Sequence, residues 1–414
     1  MDRSQLELAL VLAAPGNRIF LVGDDDQSIY GWRLADVRRV LALAGRLPGM
    51  RRFDLVTNFR CPGPVVERAV RLVEVNQERF AKRIVARIGA TGRLVLAPDA
   101  SDDDDRARRV LASWRFGDGV PSPPADAPAD APADAPADAP ADPDLDVEQG
   151  TLAILARTNR ELLPAAAVAL ELGVPFRADR LDLLLDDPRL DGLLDALVAD
   201  PVLASEPAAP LLVRLGALRR AITADDAATA GRAIDTVRMP GTTDAAQVDD
   251  LDRATMPARG ELEEDEPGVP LDALLAALLG WAARFRDPAS FVAAVRARRD
   301  ALALLRRDDA RLTLATAHGT KGLEFDHVAV IGMDADRFPS RRTLDEADDP
   351  VRALEEERRL AYVAWTRARR SLTLVYDPAT PSVFLRDAFD DVELGIGRAS
   401  KTRGPPVSEP DRAG

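Results

Sequence analysis

Between residues 21 and 33 the chain reads LVGDDDQSIYGWR. An apolar run stops at Gly23, and the polar loop after it offers an amide (Gln27), two aromatic rings (Tyr30 and Trp32) and a guanidinium (Arg33). An amide donates and accepts hydrogen bonds at once without adding charge. Two further arginines stand in contexts that could do chemistry, Arg60 in LVTNFRCPGPVVERAV and Arg367 in EEERRLAYVAWTRARRSLTLV. A guanidinium is always charged and forks onto carboxylate or phosphate oxygens. Each of these residues also has a plainer reading. Tyr30 and Trp32, taken alone, are core packing; Arg60 is a surface ion pair; Arg367 shares a helix with Glu357, Arg358 and Arg359, where solvated ion pairs are common. Glu324, in KGLEF, reads as a carboxylate at a helix start, favoured there by the helix dipole.

Other chemistries are excluded. Cys61 is the only cysteine, which rules out an internal disulfide and a cysteine-based zinc site, and a cytoplasmic location is the default expectation. His318 and His327 are the only histidines, with no third metal ligand suggested beside them, so no metal site is expected. No G-x-x-x-x-G-K-[ST] sequence occurs; GTKG at 319–322 has neither the earlier glycine nor the following hydroxyl.

Seven short β-rich runs must carry these groups: RIFLVGD, RFDLVTN, GRLVLAP, TLAILAR, RLTLATA, DHVAVIG and SLTLVYD. They show little alternation of apolar and polar residues, so both faces need cover, which points to a parallel sheet. Helical spacing separates them, over 64–80 (Val65, Ala69, Leu72) and over 354–369 (Leu360, Val363, Arg367). Strands alternating with helices make an α/β layered domain. A buried strand ending at Gly23 would present Gln27 at a strand C-terminus, where parallel sheets bind ligands.

The net charge of −14 is unevenly spread. Residues 99–148 hold 14 acidic and 4 basic side chains, and residues 241–270 hold 9 and 2, which leaves the remainder at +3. A phosphate-binding groove is therefore compatible with the sequence, because local charge decides. Within the first acidic stretch ADAP repeats four times over 125–140. Proline at every fourth position removes backbone donors, and the scarcity of apolar bulk leaves nothing to bury, so 117–148 is expected to be disordered. The tail 391–414 carries the same expectation.

These blocks, in this order, resemble the UvrD/PcrA/Rep-like superfamily 1 DNA helicases. LVGDDDQSIYGWR is similar to helicase motif III, LVTNFRC to motif IV, TLATAHGTKGLEFDHVAVIGMDADRFP to motif V, EEERRLAYVAWTRARRSLTLV to motif VI, and PSVFL to the close of the domain. TLAILARTNRELLPAAAVALELGVPFR resembles the strand-helix-strand segment after motif IV. The resemblance implies an α/β fold with a RecA-like parallel-sheet domain, the second motor domain of a P-loop NTPase. Its divisions would be a remnant of the first RecA-like domain (1–50), the second in three parts (51–116, 149–178 and 311–390), the acidic repeat (117–148), a helical insertion (179–310) and the tail. It implies roles too. Arg60 and Arg367 would reach the ATP γ-phosphate as arginine fingers, which contribute about 10³–10⁵ in rate in phosphoryl transfer. Gln27 would orient the attacking water, Phe59 would stack on adenine where the family usually has tyrosine, and Glu324 would bond the ribose. Tyr30 and Trp32 would stack on bases of single-stranded DNA, at about 1–3 kcal/mol each regardless of sequence. Arg33, Thr316, His318 and Lys321 would line the same groove.

The resemblance further implies an ATP-dependent 3′→5′ helicase or translocase that works at duplex junctions, with no membrane role. ATP and Mg²⁺ would be the cofactors. The sequence DRSQLELALVLAAPGNRIF is similar to the segment after the family's DExQD motif, so the Mg²⁺ ligands are expected upstream of Met1. A separate chain carrying that N-terminal half is a candidate partner. The alternative is a non-hydrolysing DNA-binding or regulatory module. Three departures stand out: Leu34 and Cys61 replace the usual glycine and serine, and the insertion lacks the aromatic-rich start of a UvrD-type subdomain.

Overall fold

The computed structural model describes residues 3–14, 19–29, 38, 42–43, 47, 50–114, 150–179, 181, 183–187, 190–192, 194–195, 278, 281–282, 285 and 288–396. The ADAP repeat, the second acidic stretch, Tyr30, Trp32, Arg33 and Leu34 lie outside the described residues.

The chain divides into two compact units, residues 1–181 with 305–414, and residues 182–304. The first is built on six parallel strands: β3 (Arg93–Pro98), β4 (Leu152–Ala156), β5 (Phe176–Arg177), β6 (Leu312–Thr316), β7 (Phe325–Val330) and β8 (Ala368–Tyr376). Their order across the sheet is β3-β8-β7-β4-β6-β5. Every residue of β4 is fully buried, as a central strand covered on both faces requires. Alternation along the strands turns Ala153, Leu155, Val328, Val330, Leu372 and Leu374 into one core, shared with helices α2 (Gly63–Glu74), α7 (Pro350–Trp365) and α8 (Val383–Ala388). Helices α3 (Asp103–Ser113) and α4 (Asn159–Glu171) pack against each other, and α4 lies along β4 and β6. Helix starts are capped locally. Asp102 accepts from the Asp105 amide, Thr158 with Glu161 forms a capping box, and Ser340 caps the short helix α6 (Arg341–Asp345) through the Thr343 amide.

Two of the seven expected strands are not formed as read. RIFLVGD contains no strand among its described residues, and Phe20 and Val22 are exposed. Its apolar content matches a central strand, but none of the described strands pairs with it. RFDLVTN contributes only β1 (Thr57–Asn58), paired in parallel with β2 (Val85–Ala86), while Phe53 and Leu55 stay exposed. The described residues of 1–50 therefore hold the helix α1 (Arg3–Ala13) and a 3-10 turn at Asp25–Gln27, rather than a partial sheet.

Both long helices are shorter than their periodicity suggests. Helix α2 ends at Glu74 in a turn in which the Asn76 amide donates back to the Val73 carbonyl at 3.1 Å, and the chain beyond is drawn away as Gln77 and Glu78 donate to the Glu355 carboxylate at 2.7 and 3.2 Å. Helix α7 stops at Trp365, so Arg367 stands in the turn before β8 and not on the helix. The expected tail begins later than residue 391. Residues 391–396 form a packed turn, with Leu394 buried and Glu393 gripped by Arg68 at 2.6 and 3.0 Å.

In the second unit, helix α5 (Pro288–Leu305) contributes Phe291, Val292 and Val295 to a buried cluster with Leu190, Leu194, Leu278 and Ala282. Trp281 and Phe285 meet the Phe291 ring edge-on, at 6.0 and 5.5 Å. No helix among the described residues is long and apolar enough to cross a membrane.

Candidate nucleotide cleft

A cleft of about 630 Å³ opens at the N-terminal edge of the sheet, lined by Gln27, Leu55, Thr57, Asn58, Phe59, Arg60, Glu324 and Arg369. Three separate stretches of chain supply its charged groups. Arg60 follows β1, Glu324 immediately precedes β7, and Arg369 lies in the first turn of β8. The turn carrying Arg60 is set by Asn58, whose side-chain oxygen accepts the amides of Arg60 and Cys61 at 2.9 and 2.8 Å. Arg60 Nε then donates to Glu324 Oε2 at 2.8 Å, and its Nη1 reaches the Thr366 carbonyl at 3.4 Å. Arg369 Nη1 stands 3.5 Å from the other Glu324 oxygen. Held between two guanidiniums, the Glu324 carboxyl titrates below the usual range, mainly through its bond from Arg60. It is a clamped carboxylate at a strand entry, not a helix-start residue.

Phe59 is 73% exposed on the cleft wall, which leaves a ring face available for stacking. Gln27 presents its amide from the other side, oriented by a 2.8 Å bond from Nε2 to Asp24 Oδ2.

Arg367 does not line the cleft. Its guanidinium is 1% exposed and donates to the Val363 carbonyl (2.9 Å), the Leu323 carbonyl (3.0 Å) and Thr366 Oγ1 (3.3 Å). Its own carbonyl accepts from the Phe325 amide at 2.9 Å. Arg367 thus pins the backbone on both sides of Glu324 and stands behind the wall that Glu324 and Arg60 form. Burial, with Arg60 nearby, pulls its pKa down to about 10. The neighbouring charges on α7 are not solvated either. Glu355, Glu357, Arg358 and Arg359 are all buried, and Arg157 forks onto Glu357 at 2.7–3.0 Å.

The remaining candidate residues sit at the opposite edge or bridge the two. Thr316 ends β6, with Oγ1 accepting from the Gly319 amide at 3.3 Å. His318 opens a 3-10 turn, His318–Thr320. It is half-buried, and burial with the nearby Arg157 charge lowers its pKa to about 4, which keeps the imidazole neutral at physiological pH. Lys321 lies on the stretch that returns toward β7, and its ammonium donates to the Gln27 carbonyl at 3.0 Å. Burial, together with Arg367, lowers its pKa. His327 lies within β7, its Nδ1 2.8 Å from Ser371 Oγ.

Several residues at this site carry little signal in the sequence. Arg369 and Asn58 flank motif arginines but have no spacing pattern of their own. Asp24, Asp25 and Asp26 are visible as a run, yet their partners Arg79 and Lys82, which lie 2.5–3.0 Å from them, belong to a stretch with no pattern.

A parallel sheet covered by helices, with arginines, a carboxylate, an amide and an exposed ring gathered at one edge, makes a RecA-like α/β domain with a candidate ligand cleft. Comparison with known proteins specifies the class. Residues 293–378 match the UvrD-like helicase C-terminal domain, and residues 1–48 match the UvrD/REP helicase N-terminal domain. The chain is 28% identical to DNA helicase II of Escherichia coli K12, over 91% of this chain and 54% of that protein. It is 25% identical to the ATP-dependent DNA helicase Rep of the same strain (90% and 58%) and 26% identical to the ATP-dependent DNA helicase UvrD1 of Mycobacterium bovis (86% and 50%). The chain is thus similar to the UvrD/Rep-like helicases in these two segments, and it spans about half the length of the curated relatives it matches.

Proposed function

We propose that this chain supplies the second RecA-like domain of an ATP-dependent DNA helicase or translocase acting in the cytoplasm on single-stranded DNA and duplex junctions, with 3′→5′ polarity. The observation that supports it most is the convergence of Gln27, Phe59, Arg60 and Glu324 on one cleft from three distant segments. Their chemistry suits a nucleoside triphosphate: guanidinium for phosphate oxygens, an exposed ring for the base, a carboxylate for a ribose hydroxyl and a neutral amide for an attacking water. When bound, ATP with Mg²⁺ supplies the transferable γ-phosphoryl group. The chain's own part is to orient and neutralise it. Arg60 meets phosphate directly, and Arg367 acts either by holding Glu324 or by rotating out from its carbonyl partners. Thr316, His318 and Lys321 form the DNA-facing side, the role the resemblance also gives to Tyr30, Trp32 and Arg33, which lie outside the described residues. Lys321 joins that side to the nucleotide side through the Gln27 carbonyl.

The sequence contains no phosphate-cradling loop, and the Asp24–Asp26 carboxylates are engaged by Lys82 and Arg79. On this reading the 414-residue chain binds oligo(dT) but turns over no ATP by itself. The test measures both in the purified protein: anisotropy of a labelled oligo(dT), and phosphate release with and without DNA. Salt-sensitive DNA binding without turnover is expected. ATP turnover that disappears in Arg367→Ala, or no DNA binding at low salt, refutes the proposal. DNA binding that persists when an N-terminal helicase half supplied in trans restores no turnover favours the non-hydrolysing module instead.

A further inference from the structure

The acidic turn before Gln27 does not face the cleft, and ATP chemistry at the cleft gives it no task. Lys82 Nζ lies 2.6 Å from Asp24 Oδ1, 2.5 Å from Asp25 Oδ1 and 3.0 Å from Asp26 Oδ2. Arg79 forks onto Asp26 at 3.0 and 2.9 Å, and the Phe80 amide donates to Asp25 Oδ2 at 2.7 Å. The three carboxylates crowd within 4.8 Å of one another, and Asp25 and Asp26 are buried. Such a group could attract a metal cation, but the Lys82 ammonium already stands within 3.0 Å of all three.

Both ends of this cluster lead somewhere. The 77–82 segment is bound to helix α7: Glu355 accepts the amides of Gln77 and Glu78, and Arg359 Nη2 donates to the Glu78 carbonyl at 2.7 Å. The same helix ends at Trp365, and the turn that follows it carries Thr366 and Arg367 behind the cleft. In the other direction, Asp24 accepts from the Gln27 side chain at 2.8 Å. Without that bond the Gln27 amide would sample several rotamers, as long side chains do when nothing holds their ends.

We propose that Lys82 and Arg79 are positioning residues: they clamp the Asp24–Asp26 turn to the second RecA-like domain and so fix the amide of Gln27 at the cleft. The mechanical part stands whatever ligand the cleft takes; its value for phosphate sensing rests on the proposed ATPase function.

The test uses the full 414-residue chain without nucleotide, so it reads the clamp even if the cleft proves not to bind ATP. Lys82→Met removes the charge and keeps the length. The Gln27 side-chain amide resonance should shift. Exchange of the Gln27 and Ser28 backbone amides, which close the 3-10 turn on Asp24 and Asp25, should rise about tenfold or more, the factor for losing one charged hydrogen bond. Exchange in Leu152–Ala156 should stay unchanged, and Lys82→Arg should restore the native signal. A folded Lys82→Met protein with an unmoved Gln27 resonance and unchanged exchange overturns the proposal. Should Lys82→Met not fold, Asp24→Ala removes the link to Gln27 while leaving Asp25 and Asp26 to Lys82 and Arg79. The same Gln27 shift is expected there, and its absence overturns the proposal equally.

Discussion

Replacing Arg367 by alanine should damage the fold before it touches chemistry. The guanidinium makes three hydrogen bonds, to the Val363 and Leu323 carbonyls and to Thr366 Oγ1. Bonds from a charged donor contribute about 1.5–3 kcal/mol each, so the gross gain is about 4.5–9 kcal/mol. Against it stands the cost of the buried charge beside Arg60. A pKa of about 10, where arginine is ordinarily 12.5, corresponds to about 3 kcal/mol disfavouring the charged form in the fold. The difference leaves a net loss of about 1.5–6 kcal/mol for Arg367→Ala, concentrated where Arg367 ties the entries of β7 and β8 together. Because the chain holds two compact units, a single denaturation midpoint would mix them. Native-state hydrogen exchange of β7 and β8 amides is the cleaner assay. Arg367→Ala should accelerate those amides by about tenfold or more, and Arg367→Lys by clearly less, since a lysine keeps the charge and loses the fork. An acceleration below about threefold would show that the buried bonds carry no net weight and would refute the structural role given to Arg367.

Three further outcomes are expected from neighbouring charges. His318 is held neutral in the fold to a pKa of about 4, whereas the unfolded chain takes the proton near 6.5. The unfolded state therefore binds more protons between these values. Stability should be full above about pH 6.5 and fall by at most about 3 kcal/mol as the pH drops to 4, a slope that His318→Gln should remove in pH-dependent thermal melts. Carboxylates lowered by their partners, such as Glu324 and Asp326, add their own loss only as the pH falls further. Arg157→Met should cost about 3–5 kcal/mol, because Glu357 then keeps a buried charge with only the Ser340 amide beside it. The same change should raise the His318 pKa, as Arg157 contributes to its depression; imidazole NMR titration of both proteins checks this.

How much was legible depended on whether the signal was local. The strands β3, β4, β6, β7 and β8 were readable because a parallel strand covered on both faces must be apolar throughout, and nothing distant is needed to see that. Glu324, Arg60 and Gln27 were readable as chemistry, since each sits in a distinctive string. Their meeting at one cleft was legible only through the family resemblance, because its place at the N-terminal edge depends on where β7 begins. RIFLVGD failed for the opposite reason. Its composition is that of a strand, but a strand exists only with a neighbour to bond, and composition cannot report one. The ends of α2 and α7 were set by tertiary partners too. Glu355 captures the Gln77 and Glu78 amides just beyond α2, and Arg367 turns away from α7 to the Leu323 carbonyl.

The run EEERR on α7 shows how far such partners can invert a reading. By composition it is a solvated face, yet Glu355, Glu357, Arg358 and Arg359 all point inward. Each is matched to a different part of the domain: Glu355 to the 77–78 amides, Glu357 to Arg157 and the Ser340 amide, Arg358 to Asn76 and Asp387, and Arg359 to the Glu78 carbonyl. Buried charges this specific are poor sources of stability and good sources of register, because a helix shifted by one residue would strand four ions in the core. The register matters because α7 ends where Arg367 begins and, through Glu355 and Arg359, holds the segment that grips the turn before Gln27. A rotation or slide of α7 would therefore move the wall behind Arg60 and the amide opposite it together. The helix whose charges look most like surface decoration is the strut that keeps the two sides of the cleft in step.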